Sequence, residues 1–208
     1  MERGARDDVA AAMNTDWEQR YRTGDMPWEK GAPHPAIVEF LHREPMRGRV
    51  FVPGCGTGHD VRAIAATADE VVGLDIAPSA IAAAKSQPSI GGEDYFLGDL
   101  FALPAEMHGV FDWVVEHTCF CAISPTMRGD YVRAVASILK PGGRLLAVFY
   151  LTPKMDPGEE GPPFGASMHE LEKLFAPHFA TEKEWVPTAT YPGRKNRELC
   201  RVLVRLPA

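Results

Sequence analysis

The stretch Val50-Phe-Val-Pro-Gly-Cys-Gly-Thr-Gly-His-Asp60 decides how the rest of this 208-residue chain is read. A short β-branched and aromatic run ends in Gly54-x-Gly56-x-Gly58, and an alanine-rich helical pattern follows at once. That spacing predicts a strand, a tight glycine turn and a helix N-terminus. The glycines let backbone approach a ligand where a Cβ would collide, and the helix start offers free N–H groups. A second apolar run, Val71-Val-Gly-Leu-Asp75, ends in a carboxylate 17 residues after Gly58. An acid there, partly solvated at a strand end, is placed to accept both hydroxyls of a ribose. Glycine loop plus ribose acid predicts a nucleoside-cofactor site.

The spacing also discriminates between cofactors. Dinucleotide folds use G-x-G-x-x-G, with the pyrophosphate on the helix dipole. Here the third glycine comes one position early, and no Arg or Lys lies within the loop. A third run, Tyr95-Phe-Leu-Gly-Asp99-Leu-Phe101, again ends in Asp followed by two apolar residues. Asp99 can accept a hydrogen bond from an exocyclic amine while Leu100 and Phe101 sandwich a purine. Phe111-Asp-Trp-Val-Val-Glu116, a helix ending in Leu139-Lys-Pro-Gly-Gly143, and the strand Arg144-Leu-Leu-Ala-Val-Phe-Tyr150 follow. This succession resembles the class I S-adenosylmethionine (SAM)-dependent methyltransferases. The resemblance implies an α/β, Rossmann-like fold: a seven-stranded, mainly parallel sheet with helices on both faces. It also implies SAM as cofactor and S-adenosylhomocysteine as product.

Composition agrees. Hydrophobic residues make up 45% and charged residues 24%, as in a globular domain, and the net charge is −6. Lys and Arg are scattered rather than blocked, so no nucleic-acid partner is expected. No apolar run approaches the ~20 residues that span a bilayer, so no membrane partner is expected either. The start of the chain lacks a signal-peptide pattern, and its four cysteines lack paired metal spacing, which together point to the cytoplasm. Cys119-x-Cys121 without a second pair predicts thiols rather than a metal site. The sequence sets no oligomeric state.

The chain is expected to form one domain over residues 1–208. Residues 14–48 form an N-terminal aromatic segment, 49–150 the cofactor-binding core, and 151–208 a substrate loop with a final antiparallel strand pair. Helices are predicted over about Asp60–Thr67, Pro78–Gln87 and Met127–Leu139. Two extended runs follow, at about Thr181–Val186 and Leu199–Leu206. The stretch from Leu151 to Ala166, rich in Pro and Gly, predicts a long ordered loop. Thr15-x-x-Glu18 and Ser167-x-x-Glu170 are capping-box patterns. The first starts a short helix carrying Trp17 and Tyr21 on one face, with Trp28 in the following loop. Those rings either staple the terminus to the core or form a lid, since aromatic faces attract a sulfonium.

The pattern Trp17-Glu-x-x-Tyr21-x-x-Gly24-x-x-Pro27-Trp28 sharpens this. Together with the glycine loop, Val72-Gly-Leu-Asp75-Ile and Phe120-Cys-Ala-Ile123, it resembles the thiopurine S-methyltransferase superfamily, nearest its thiol, thiocyanate and halide branch. Gly161-Pro-Pro-Phe164 and the helix with His169-Glu-Leu-Glu-Lys-Leu-Phe175 resemble the thiopurine enzymes themselves. The resemblance covers about Trp17 to Phe175. It implies that Trp17, Tyr21 and Trp28 wall the cofactor as an N-terminal helical lid. It implies too that Gly54, Asp75, Asp99, Leu100 and His117 contact the cofactor, beside Gly56 and Gly58 of the loop. Two departures stand out: Tyr21 replaces the Trp usual in the plant halide branch, and Glu116-His117-Thr118 replaces that branch's Asp-Tyr-Val.

The expected activity is methyl transfer to a small soft nucleophile, foremost a thiol, with halide or thiocyanate as further acceptors. A methyl sulfonium needs no activation, and a thiolate or halide needs little base. Positioning can then supply most of the rate, about 7–11 kcal/mol from orientation. Two residues are candidates for positioning the acceptor: Arg128 as counter-charge, matching an Arg of the thiopurine branch, and Tyr150 at a central strand end. His59 is expected to order the glycine loop, and His34, between two prolines, to lie on the surface. Transfer to oxygen or nitrogen would require a base, for which His117 or Glu116 could serve. A SAM-binding regulatory protein without turnover is the remaining alternative.

Overall fold

The structure is a computed structural model that describes residues 15–155, 158 and 161–207. Its strands are β1 Arg49–Pro53, β2 Glu70–Asp75, β3 Glu93–Leu97, β4 Phe111–His117, β5 Leu139–Tyr150, β6 Phe179–Trp185 and β7 Glu198–Arg205. Its α-helices are α1 Trp17–Thr23, α2 Pro35–Arg43, α3 His59–Ala65, α4 Pro78–Lys85, α5 Arg128–Ile138 and α6 Met168–Phe175. The strands form one sheet in the order β3-β2-β1-β4-β5-β7-β6. The pairs β1/β2, β2/β3, β1/β4 and β4/β5 are parallel, and β7 runs antiparallel to both β5 and β6.

Alternation along the strands sorts the core into two layers, because successive side chains leave a strand on opposite faces. Val50, Val52, Trp113, Val115, Leu146 and Val148 pack with Ile37 and Phe40 of α2, Val61 and Ile64 of α3, and Ile81 of α4. Phe51, Val114, Leu145, Ala147 and Phe149 face the other way, against Tyr131 and Val135 of α5 and Leu171 and Phe175 of α6. In that second layer Phe120 meets Tyr131, Phe149 and Phe175 with ring centroids 5.4, 5.5 and 5.8 Å apart. Truncating such a buried ring costs about 3–5 kcal/mol.

The chain direction reverses its filling order between β1 and β4. In open α/β sheets the carboxyl edge at such a switch point is where ligands sit. The helix ends differ in detail from expectation. Asp16, not Thr15, caps α1, its Oδ1 accepting from the Gln19 N–H at 2.9 Å. Ser167 does cap α6, accepting from the Glu170 N–H at 3.0 Å, but the Glu170 carboxylate turns to Arg128 instead of completing the box. Helix α3 stops at Ala65, two residues short of the predicted end, and α5 ends at Ile138 where β5 begins. Part of the expected ordered loop, residues 156, 157, 159 and 160, lies outside the described residues, as does residue 14 of the N-terminal segment.

Candidate functional site

The ends of β1, β2 and β3 form one half of the carboxyl edge. Gly54, Gly56 and Gly58 all have positive φ. A Cβ on Gly58 would come within 2.7 Å of the Tyr95 ring, so only glycine lets the turn close on β3. The Cys55 N–H donates to Leu74 O at 2.8 Å, and the Gly56 N–H donates to Asp75 Oδ2 at 2.9 Å. Asp75 also accepts from the Ala77 N–H at 2.9 Å. Contrary to the expected partly solvated acid, Asp75 is only 7% exposed. Burial pushes its carboxyl above the ordinary range, against the opposing pull of the Ala77 and Gly56 N–H groups. Asp99 is exposed and spends Oδ1 on the Phe101 N–H at 2.9 Å. Leu100 is buried while Phe101 stays exposed.

The N-terminal aromatics lie over this half. Trp28 meets Trp17 and Tyr21 edge-on at 5.3 and 5.7 Å, and its Nε1–H donates to the Tyr21 hydroxyl at 3.3 Å. The same hydroxyl is so near the loop that a Cβ on Gly56 would stand 3.0 Å from it. Two carboxylates latch the segment to the core. Glu18 accepts from the Ser79 N–H and hydroxyl at the head of α4, at 2.9 and 2.7 Å. Glu29 accepts from the Thr57 hydroxyl at 2.5 Å, and its other oxygen lies 3.0 Å from His59 Nε2. His59 thus ties the glycine loop to the aromatic segment.

The other half of the edge gathers residues from five separate places in the chain. His117, the last residue of β4, directs Nδ1 at Asp60 Oδ2, 2.7 Å away. The other Asp60 oxygen accepts from the His34 N–H at 2.8 Å. Burial works against this carboxylate, but His117 and the His34 N–H outweigh it and hold Asp60 below its ordinary value. His34 is fully buried rather than on the surface, because Pro35 starts α2 and turns the imidazole inward as its cap. Its Nδ1 accepts from the Ala36 N–H at 3.2 Å, which leaves Nε2–H to donate to Glu198 Oε2 at 3.1 Å. Arg194 Nη1 donates to the remaining Glu198 oxygen at 3.1 Å, and its guanidinium lies 4.6 Å over the Tyr150 ring and 5.5 Å from that of Tyr191. The His117 ring packs 4.6 Å from His34 and 5.9 Å from Tyr191.

Two features mark the end of β4. Among the described residues His117 Nε2 is buried with no hydrogen-bond partner, a state that ordinarily costs about 1–3 kcal/mol. The next residue, Thr118, holds φ at 64°, a left-handed conformation costly for a β-branched side chain.

Two residues considered for the acceptor are engaged elsewhere in the fold. Arg128 is 1% exposed, stacked 4.5 Å over Phe120. Its Nη1 donates to Gly165 O at 3.1 Å and Glu170 Oε1 at 2.7 Å, and its Nη2 to Phe164 O at 2.9 Å. It clamps the loop before α6 through both Nη atoms, while its Nε is buried with no partner among the described residues. Glu116 is likewise unavailable as a base: it is 1% exposed and accepts from the Phe120 N–H at 2.8 Å and from the Tyr131 hydroxyl. The sequence reading missed Asp60, Arg194, Glu198 and Tyr191. Asp60 sits in the quoted loop, but its partner lies 57 residues on, beyond any local pattern. Among the described residues no group of His, Cys, Asp and Glu could hold a metal ion, and no helix is long and apolar enough to cross a membrane.

Comparison with known proteins adds the following. Residues 12–199 match the family model described as thiopurine S-methyltransferase. A probable thiol methyltransferase 2 from Arabidopsis thaliana is 36% identical over 167 residues, covering 77% of this chain and 71% of the relative. Thiocyanate methyltransferase 1 from the same plant is 35% identical over 191 residues, covering 88% and 81%. Among solved structures, a Burkholderia thailandensis 1,6-didemethyltoxoflavin-N1-methyltransferase superposes with a TM-score of 0.73 at 19% identity, covering 97% of this chain and 90% of the other. That last likeness bears on the fold alone.

Proposed function

The chain belongs to the thiopurine S-methyltransferase family, and from that premise we propose that it methylates a small thiol at the crevice between β1 and β4. It is a SAM-dependent methyltransferase with the Rossmann-like sheet of class I enzymes. The observation that carries the reading is the family match over nearly the whole chain, joined by thiol and thiocyanate relatives at 36% and 35% identity.

The residues present fit the cofactor. The glycine turn leaves backbone bare, and Asp75 is fixed by one N–H on each oxygen with lone pairs left for ribose hydroxyls. Asp99 and Leu100 are assigned to the adenine, and Trp17, Tyr21 and Trp28 to a lid over the sulfonium. When bound, SAM supplies an activated methyl group. The protein's share is to orient the acceptor in line and keep water out, which the latched aromatic segment serves through Glu18 and Glu29. On the acceptor side, Arg194 takes over the counter-charge role first given to Arg128. One of its nitrogens is on Glu198, and the guanidinium is framed by Tyr150 and Tyr191. A cation there stabilises a sulfur that becomes anionic as its proton leaves.

The test is S-adenosylhomocysteine release from SAM with aliphatic thiols, aromatic thiols, thiocyanate, iodide, phenols and amines as acceptors. A thiol with the highest kcat/KM is expected. A higher value for a phenol or an amine contradicts the reading.

A further inference from the structure

Of the two buried imidazoles that touch each other, one is saturated and one is not. His34 uses both ring nitrogens, Nδ1 as acceptor from Ala36 and Nε2–H as donor to Glu198. His117 uses only Nδ1. A carboxylate offers nothing but acceptor oxygens, so Asp60 fixes the proton on His117 Nδ1 and leaves a bare lone pair on Nε2. That nitrogen is the one shut away without a partner, on a side chain 8% exposed, at the carboxyl edge where the acceptor is assigned.

The side chains around His117 come from several elements. Asp60 faces His117 from α3, His34 from the head of α2 and Tyr191 from the β6–β7 connection, while Arg194 stands behind Tyr191 and Glu198 behind His34. Glu116 precedes His117 in β4 and is engaged by Tyr131 and Phe120.

We propose that His117, oriented by Asp60, is the general base that takes the proton of a neutral acceptor thiol. This rests on the thiol reading above and sharpens it: the acceptors served are thiols of ordinary acidity, pKa about 8.5 or higher, which are mostly protonated at neutral pH. The S–H proton moves to Nε2 while the sulfur lone pair forms the new S–CH3 bond. The sulfonium C–S bond breaks, and its electron pair stays on the S-adenosylhomocysteine sulfur. The imidazolium, held by Asp60, then returns its proton to water. His117 is the catalytic residue in this step, and Asp60 the positioning residue.

Two measurements test it. Long-range 1H–15N NMR of the histidines in the cofactor-free protein, titrated from pH 6 to 9, reads the tautomers directly. His117 is expected as the Nδ1–H form and His34 as the Nε2–H form. A His117 that is Nε2–H, or that stays doubly protonated to pH 9, overturns the proposal. The second compares 2-mercaptoethanol with thiophenol, which is already ionised at pH 8, in wild type, His117→Gln and Asp60→Asn. Both thiols share the cofactor site, so a variant's loss of SAM affinity cancels in their ratio. His117→Gln is expected to lower kcat/KM for 2-mercaptoethanol on the order of 100-fold more than for thiophenol, with recovery as pH rises through the thiol pKa. Asp60→Asn should shift the same ratio in the same direction. Equal losses on both thiols overturn the base while leaving thiol methylation standing. Failure of the wild type to methylate either thiol overturns the acceptor reading and the base with it.

Discussion

The two halves of the carboxyl edge are built in opposite ways. The β1–β2–β3 half is made of backbone: three glycines with positive φ and carboxylates whose partners are N–H groups a few residues away or one strand over. The β4–β5–β7 half is made of side chains, Asp60, His117, His34, Glu198 and Arg194, that meet across separations of up to 164 residues. On the proposed assignment the backbone cradle serves the cofactor and the side-chain cluster the acceptor, which a change of side chains can retune. Substitutions in the first half should therefore affect every acceptor alike, and those in the second should discriminate among them.

The largest expected effect is in the cradle. Asp75→Ala removes the carboxylate proposed to hold the ribose and unpairs the Gly56 and Ala77 N–H groups. Affinity for S-adenosylhomocysteine should fall about 100-fold or more, roughly 2.7 kcal/mol, by calorimetry, with kcat/KM falling equally for every acceptor. Acceptor-dependent losses would blur the two halves into one.

Next comes Arg128, which sequence alone assigns to the acceptor. With its guanidinium committed to Phe164 O, Gly165 O and Glu170, Arg128→Met should cost about 2–3 kcal/mol of stability in urea unfolding. A fully stable variant whose only defect is a raised KM for thiols would restore its substrate role. Arg194→Met should do what was expected of Arg128. Acceptor KM should rise on the order of tenfold, about 1.4 kcal/mol, with the dissociation constant for S-adenosylhomocysteine nearly unchanged.

The smallest effect is a pH dependence. Burial lowers the His34 pKa despite Glu198, so the unfolded chain binds more protons than the folded one below about 6.5. This contribution to stability is complete above pH 6.5 and is lost as pH falls from there toward the folded-state value, at no more than about 1.4 kcal/mol per unit. Asp60 and Glu198, both held low, lose theirs only in the more acid range below about 4. Urea unfolding at pH 7.5, 6.5 and 5.5 should show the decline, and His34→Gln should flatten it. An unchanged slope in that variant would place the titrating group elsewhere.

The same contrast explains what the sequence disclosed. The sheet and the cradle were legible because a strand, a turn and a helix start occupy 11 consecutive residues, Val50 to Asp60, and recur with acids at Asp75 and Asp99. The aromatic segment was legible as a pattern, but its latches were not: Glu18 read as half of a capping box and is instead bonded to Ser79. His34 read as surface because flanking prolines suggest a loop, whereas Pro35 begins a helix that buries it. Arg128 and Arg194 look equivalent in a sequence. Only the fold shows that carbonyls from the loop before α6 occupy the first, while tyrosine rings frame the second.

The most direct test of the central claim, that this edge carries a methyl group to sulfur, uses SAM labelled with 13C in the transferred methyl and 2-mercaptoethanol as acceptor. That molecule offers a thiol and a hydroxyl to the same site. The 13C NMR spectrum of the product should show the label entirely as S–CH3, with one equivalent of S-adenosylhomocysteine formed. A label found as O–CH3, or stoichiometric binding of S-adenosylhomocysteine with no labelled product from any thiol, would contradict the account.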